Sequence, residues 1–258
     1  MASAGASGGA DRKGFLMAFG HSIDFRRRAQ LALAASAALL VAGCGGAKTE
    51  AAAEGGAVTD GGGLAAASEE TAKSGAFAEM AIGDENAAVT VIEYSSLTCP
   101  HCATFHESIL PDIKRDYVDT GKVRFVFREF PTAPAHLAVA GSMLARCAAD
   151  KGGVDAYVLV SEALFKKQRA WITSNDPRDE LIKVAGQAGM DEEAFQSCIE
   201  RKELLDHINE TITEGRDTYQ ITSTPSFVVD GAVRHPNSVE DFSKILDEAL
   251  EKADKKSG

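Results

Sequence analysis

Two cysteines in the run Cys99-Pro100-His101-Cys102 could carry out thiol–disulfide exchange. A β-branched run, Val89–Tyr94, precedes this motif and a helical pattern follows it, so Cys99 should lie at the N-terminus of a helix. Free main-chain N–H groups and the helix dipole stabilise a thiolate at that position. A thiolate is both the nucleophile and the leaving group of thiol–disulfide exchange. Pro100 suits the first helical turn, where its missing N–H would have had no partner.

Two other interpretations of the motif remain open. The cysteines could form a purely structural disulfide, or they could be half of a metal site. For a metal, His106 lies four residues after Cys102 and could join both cysteines. A closed zinc site needs four ligands, however, and no second Cys-x-x-Cys or His-x3-His supplies the fourth. We therefore expect no metal and no cofactor.

Hydrophobic periodicity predicts the elements that position these cysteines. After the strand, apolar residues from Phe105 to Tyr117 fall at helical spacing, and Gly121 should end that helix. Residues Lys122–Arg128 alternate and indicate a second strand. A strand, a helix and a strand within about 42 residues form a βαβ unit with a parallel pair of strands.

The chain after this unit is predicted to be helical in several pieces before it returns to strands. A strand from Ser226, a turn at Asp230-Gly231 and another short strand follow the helices, and a last helix begins at Asn237 or Ser238. The order is β-α-β, a helical insertion over about 134–219, then β-β-α, which predicts an α/β fold. The helical pieces are Ala135–Ala149, Asp155–Lys167, one from an N-cap at Asp176 to about Gly189, Asp191–Ile199 and Glu203–Thr218.

The N-terminus is predicted to be an export signal. Arg26-Arg27-Arg28 precedes a short apolar run, Ala29–Ala42, which is typical of a secretory signal peptide. At about 14 residues the run is shorter than the roughly 20 that span a bilayer. Residues 45–75 are rich in Gly and Ala and should form a flexible tether.

The charge distribution argues against nucleic-acid binding. The net charge is −11, and the first 43 residues carry +3, so the rest of the chain carries −14. An acidic body repels phosphate backbones. With 45% hydrophobic and 25% charged residues, the 258-residue chain has an ordinary globular composition.

The signal ends in Leu40-Val41-Ala42-Gly43-Cys44, which resembles a bacterial lipobox. In that motif the cysteine is lipidated and becomes the first residue of the mature protein. Acyl chains on Cys44 would anchor the chain to a membrane, because two or more chains bind stably where one does not. Ordinary cleavage nearby, with a soluble product, is the alternative.

The active-site stretch Val91–Cys102, with its Cys-Pro-His-Cys motif, resembles that of the DsbA family of thioredoxin-fold proteins. A second stretch, Thr222–Gly231, resembles the cis-proline loop of that family and the strand after it. Together the likeness covers about residues 76–250. It implies a thioredoxin fold with a helical insertion domain in residues 76–258.

The resemblance also implies roles for individual residues. Cys99 would be the exposed attacking cysteine, and Cys102 the buried resolving cysteine. Thr224 would offer main-chain hydrogen bonds to an extended substrate, beside a cis Pro225 that faces the disulfide. Glu93 would move protons to and from the buried thiol, unless it is merely an exposed strand residue. His101 would tune Cys99, unless it is merely solvated.

Cys147 and Cys198 lie on predicted helices of the insertion. In an oxidising compartment such a pair is most simply a structural disulfide, although two buried free thiols remain an alternative. Some relatives in the resembled family carry a second disulfide in this region, which favours the bond.

Three functions are consistent with these features. The first is a thiol oxidase that donates its disulfide to reduced exported proteins and is recycled by a quinone-linked, DsbB-like membrane oxidase. The second is a disulfide isomerase or reductase, which Thr224 favours slightly because threonine also precedes the cis-proline in isomerases. The third is a surface lipoprotein or peptide-binding module in which the cysteine motif is incidental. We expect a monomer in the periplasm or cell envelope, held to a membrane by lipid on Cys44.

Cys44→Ser should release the chain from membranes, because no acyl chain could then be attached. The measurement is the distribution of the chain between membrane and soluble fractions after cell lysis. Cys99→Ser is the matched control and should remain with the membranes. Retention of the Cys44 variant in membranes, or a soluble wild-type chain, would show that the lipobox prediction is wrong.

Overall fold

The computed structural model describes residues 74–257. The predicted signal peptide, Cys44 and the tether up to residue 73 lie outside the described residues. After a 3₁₀ turn at Gly75–Phe77, the elements in chain order are β1 (Met80–Ile82), β2 (Val89–Ser95), α1 (Pro100–Ser108), α2 (Leu110–Ile113), β3 (Val123–Glu129), α3 (Ala135–Lys166), α4 (Gln168–Ile172), α5 (Pro177–Gln187), α6 (Glu192–Ile199), α7 (Lys202–Tyr219), β4 (Ser226–Val229), β5 (Ala232–Arg234) and α8 (Val239–Ser257).

A mixed sheet of five strands in the order β1-β3-β2-β4-β5 forms the centre of the fold. Strands β2 and β3 run parallel, as the βαβ pattern predicted, and the remaining pairs are antiparallel. Five helices, α3 to α7, lie between β3 and β4 in the chain. The predicted α/β class, with a β-α-β half and a β-β-α half, is confirmed.

Strand β1 was not predicted. It has only three residues and pairs with β3 through Met80 opposite Phe127 and Ile82 opposite Phe125. Three residues are too few to display the alternation of a half-buried strand. Its strand geometry depends on a partner more than 40 residues away, which no local pattern reveals.

The helix predicted to run from the cysteine motif to Gly121 is interrupted. Helix α1 ends at Ser108, α2 begins at Leu110, and a π-helical turn covers Lys114–Val118. Pro111 explains the break, since proline has no N–H to donate to a carbonyl one turn earlier. The prediction of one continuous helix was therefore wrong, although the apolar face it identified is buried.

The two helices predicted at 135–149 and 155–167 are the two parts of α3. The part of the chain between them bends at Gly153, whose φ of +61° and ψ of −155° are not helical. Side chains of Asp176 and Asp191 cap α5 and α6 by accepting from the N–H groups of Asp179 and Ala194, and the cap predicted at Asp176 is confirmed. Helix α4 was not predicted.

The pleat of β2 divides its side chains between two buried layers. Val91 belongs to the main core with Phe105 of α1 and Phe242 of α8. Tyr94 points to the opposite face, where a Cβ on Gly215 of α7 would lie 2.7 Å from its ring, so α7 approaches there closely. Glu93 is two residues from Val91 and therefore faces α1.

A buried ion pair joins the end of β3 to α3. The guanidinium of Arg146 donates to both carboxylate oxygens of Glu129 at 2.6 and 2.8 Å, and it also donates to the carbonyl oxygen of Ala76 at 2.8 Å. Arg146 holds the pKa of Glu129 below its usual range, although burial alone would raise that pKa. The contacts of Arg146 thus hold together the turn at Gly75–Phe77, β3 and α3.

Within residues 74–257, no helix combines the length and the apolar character needed to cross a membrane.

Candidate active site

Cys99 is the N-cap residue of α1, and Pro100 is the first residue of that helix. The N–H of Cys99 donates to the carbonyl of Ser96 at 3.0 Å, and its own carbonyl accepts from Ala103 at 3.2 Å. Cys99 therefore connects a tight turn after β2 to the first turn of the helix. Cys102, one turn later, lies underneath it, and both cysteines are free thiols in this structure.

The predicted contrast in exposure between the two cysteines is present but small. Cys102 is fully buried, as expected, whereas Cys99 is only 7% exposed. The expectation of a well-exposed Cys99 was wrong, because the loop before β4 lies against its sulfur.

The surroundings of Cys99 lower its pKa from 9.0 to about 5. The largest cause is a hydrogen bond with the thiol of Cys102, and further contributions come from the side chain of Thr224 and the main-chain N–H groups of Cys102 and His101. Desolvation opposes these contributions. By contrast, burial first, then Cys99 and the charge of Glu93, raise the pKa of Cys102 far above its usual value.

The structure places the predicted Thr224-Pro225 loop beside this thiol. Strand β4 pairs with β2 so that Ser226 lies opposite Tyr94, which brings the loop to the end of β2 where the motif begins. The Thr224–Pro225 peptide is cis, and the sulfur of Cys99 lies 3.3 Å from the carbonyl oxygen of Thr224. This carbonyl accepts from the neutral thiol, whereas the N–H donors at the start of α1 favour the thiolate.

Glu93 lies beneath the cysteines and is fully buried, so it is not an exposed strand residue. Its two carboxylate oxygens are 3.0 and 3.1 Å from Nε2 of His106 on α1. The imidazole stacks on Phe165 of α3, with ring centroids 4.2 Å apart. Because a carboxylate only accepts hydrogen bonds, one proton must lie between these two groups. The structure thus pairs His106 with Glu93, whereas the sequence suggested it only as a metal ligand beside the cysteines.

His101 is exposed at the surface of α1. Its main-chain N–H, rather than its imidazole, is among the groups that lower the pKa of Cys99. The tuning of Cys99 by the His101 side chain stays a prediction.

Two sets of polar side chains fix the turn between β2 and α1. On one side, the hydroxyl groups of Ser96, Thr98 and Thr132 bond to one another at 3.0 to 3.4 Å. On the other side, Nε2 of Gln168 donates to the carbonyl oxygens of Leu97 and Cys99, each at 2.9 Å. The turn that carries the first cysteine is therefore held by the loop after β3 and by α4 as well as by its own helix.

Cys147 and Cys198 are joined in a disulfide that links α3 to α6, with their Cα atoms 6.1 Å apart. Both residues are buried among the helices, and neither belongs to the active-site cluster. Cys44 lies outside the described residues. Within residues 74–257, no group of three or more His, Cys, Asp or Glu side chains is arranged to hold a metal ion.

Sequence reasoning missed Gln168 and the true partner of His106. The position of His106 four residues after Cys102 placed it on the buried side of α1, and Glu93 alternates with Val91, so their pairing could have been inferred from the two periodicities. Gln168 gave no such signal, because α4 follows a break that the sequence pattern does not mark.

A thioredoxin family model matches residues 76–248, two thirds of the chain. This chain belongs to the thioredoxin family. A provisionally named protein-disulfide oxidoreductase of Rickettsia bellii is 32% identical over 178 residues, 69% of this chain and 67% of that protein. The matched region spans between 62% and 67% of the length of five such Rickettsia proteins.

Within that family, a solved structure assigns the chain to the DsbA branch. The crystal structure of alpha-DsbA1 from Wolbachia pipientis is 28% identical, with a TM-score of 0.63, and the likeness covers 70% of this chain and 94% of that one. Disulfide bond formation protein D of Bacillus subtilis is 31% identical over 133 residues, 46% of this chain and 58% of that protein. The predicted family is confirmed.

The stability of the reduced chain should rise with pH relative to that of the disulfide form. The Cys99 pKa of about 5 lies below its value of about 9 in the unfolded chain, so the thiolate contribution is complete above about pH 9 and is lost as the pH falls through 5. Between those values the reduced form should gain roughly 1 kcal/mol per pH unit, with less at high salt. Thermal melting of both redox forms from pH 4 to 9 measures the difference.

The disulfide form is its own control below about pH 8, where Cys102 is a neutral thiol in both the folded and the unfolded chain and every other titrating group is common to both forms. Cys99→Ser, which cannot form the disulfide, should show no gain in stability with pH relative to the wild-type disulfide form. A constant difference between the two redox forms across the whole range would contradict a low pKa for Cys99.

Proposed function

We propose that this chain is a thiol:disulfide oxidoreductase whose main reaction is the oxidation of dithiols in exported proteins. The observation that carries the proposal is the pairing of two unlike thiols at the start of α1. Cys99 has a pKa of about 5, whereas burial raises that of Cys102 far above its usual value. A stabilised Cys99 thiolate is a good leaving group, so its disulfide gives up this sulfur readily.

The reaction takes place in two exchanges. A substrate thiolate attacks the sulfur of Cys99 in the Cys99–Cys102 disulfide, which forms a mixed disulfide and releases Cys102, and that sulfur takes up a proton. A second substrate thiolate then attacks the substrate sulfur of the mixed disulfide and releases Cys99 as a thiolate. The substrate loses two electrons and the enzyme gains them.

Glu93 and His106 provide the proton that Cys102 needs. Their proton lies between the two side chains, and the charge of Glu93 helps to raise the pKa of the Cys102 thiol. During turnover the pair would give a proton to Cys102 when it is released and take one back when it is oxidised again. The main chain of Thr224, beside the sulfur of Cys99, would hold an extended substrate segment.

The remaining steps involve a partner protein and the N-terminal residues of the chain. Oxidation of the reduced pair must remove two electrons, and we propose a quinone-linked, DsbB-like membrane oxidase as their acceptor. The basic and apolar N-terminus directs export, and lipid on Cys44 holds a monomeric domain at the membrane of the cell envelope. Isomerase or reductase activity is the second candidate, favoured by Thr224 at the position before the cis-proline.

Cys102→Ala should accumulate mixed disulfides with substrate proteins. The Cys99 thiolate would still attack a disulfide of a substrate protein and release one of its two sulfurs as a thiolate, but no Cys102 thiol would remain to displace the substrate from Cys99. Non-reducing gels of cells expressing the variant would show these complexes, and reducing agent would remove them. Cys99→Ala and the double variant are the controls and should form none. A wild-type level of complexes in Cys102→Ala would contradict the assigned roles.

The redox state of the Cys99–Cys102 pair in living cells should be mostly disulfide, because an oxidase is kept oxidised between substrates. Acid quenching followed by alkylation with a mass-adding thiol reagent reports the two states as separate bands. A mostly dithiol pair would contradict the oxidase and favour the isomerase or reductase. A chain that neither reduces insulin nor oxidises a dithiol peptide would contradict all redox functions.

Glu93→Gln should slow exchange at Cys102 by roughly tenfold or more, because the amide keeps the shape but cannot take up a proton at neutral pH. Stopped-flow measurement of mixed-disulfide resolution as a function of pH gives the rate. The absorbance of the Cys99 thiolate should still titrate at low pH. Glu107→Gln, on the exposed side of the same helix, is the control for loss of charge. An unchanged rate in Glu93→Gln would exclude Glu93 from proton transfer.

A further inference from the structure

The carboxamide of Gln168 donates two hydrogen bonds to the turn that carries Cys99. Its Nε2 lies 2.9 Å from the carbonyl oxygen of Leu97 and 2.9 Å from that of Cys99. Both partners are acceptors, so only the NH₂ end of the amide fits here, and both of its hydrogens are used. Gln168 is only 9% exposed, which leaves little water to replace these bonds.

Gln168 is itself held in place by the helical region. It is the first residue of α4, which follows α3 after a break at Lys167. The indole N–H of Trp171, nearly a turn further on, donates to the carbonyl oxygen of Leu164 at 2.9 Å and so ties α4 to α3. The amide therefore reaches the active-site turn from a fixed base.

The carbonyl of Cys99 begins the hydrogen-bond ladder of α1, because Ala103 donates to it. The N–H groups of His101 and Cys102 belong to the same first turn, and they are the main-chain groups that face the sulfur of Cys99. The direction of these N–H groups depends on where the first turn lies. Gln168 fixes that position, because its two N–H donors bind the carbonyl oxygens of Leu97 and Cys99 in the β2–α1 turn.

We propose that Gln168 is a positioning residue for the redox reaction, which holds the first turn of α1 so that its N–H groups point at the sulfur of Cys99. The helical region between β3 and β4 then helps to set the oxidising strength of the cysteine pair, in addition to covering it. This inference rests on the proposed function, since it concerns the equilibrium of the Cys99–Cys102 disulfide.

Three substitutions at this position test the inference. Gln168→Leu keeps the approximate volume and removes both donors, and Gln168→Glu replaces the donors with a charge that repels a thiolate. The measurements are the equilibrium constant with glutathione and the pH midpoint of thiolate absorbance at 240 nm. We expect Gln168→Leu to make the disulfide about three- to tenfold less oxidising and to move the midpoint to higher pH, with a larger effect in Gln168→Glu. Gln168→Asn, too short to reach both carbonyls, gives a milder test if the other two variants unfold.

Tyr117→Phe is the control. It removes the hydrogen bond of 2.9 Å from the Tyr117 hydroxyl to Asp247 of α8 and involves neither α4 nor the active-site turn, so it should lower the melting temperature and leave the equilibrium constant and the midpoint unchanged. If the Gln168 variants lose stability only, as this control does, Gln168 is merely structural and the inference is overturned. A wild-type chain that shows no low-pH thiolate and no exchange with glutathione would instead contradict the proposed function.

Discussion

The position of the Cys99 sulfur at the start of α1 is the constraint on which the site depends. The chain leaves β2 at Ser95 and begins α1 at Pro100, so four residues must turn the chain and present a thiol to the first helical N–H groups. The N–H groups of the first helical turn are available to the sulfur, because they have no hydrogen-bond acceptor within the helix. Moving the helix start by one residue would rotate Cys99 by about 100° away from Thr224 and from the buried Cys102.

Burying Glu93 and His106 beneath the cysteines is costly unless each satisfies the other. A lone carboxylate on the face of β2 occupied by Val91 would be surrounded by aromatic side chains with no donor. His106 supplies that donor from α1, and its ring also fills space against Phe165. The same pairing keeps a proton close to the thiol whose pKa is highest. The contact between Glu93 and His106 therefore both satisfies a buried carboxylate and keeps a proton near Cys102.

The parts of this site that could be predicted from the sequence are the local ones. The Cys99-to-Cys102 motif lies within one strand–turn–helix, and its chemistry follows from helix-terminus physics. The pairing of Glu93 with His106 needed two periodicities to be combined, and so it was missed although both residues had been noted. Gln168 lies 71 and 69 residues from the two carbonyls it binds, on a five-residue helix too short for a periodic pattern. Strand β1 was missed for the same reason.

The helical region contributes to the chemistry through a very short stretch of chain. Phe165, at the end of α3, stacks on the imidazole that pairs with Glu93, and Gln168, three residues later, binds the turn that carries Cys99. One contact therefore supports the proton pair beneath Cys102, and the other supports the thiolate above it. Since both come from the junction of α3 and α4, a shift of that junction would disturb both sulfurs together. The helical region thus contacts the active site at both of its unlike thiols.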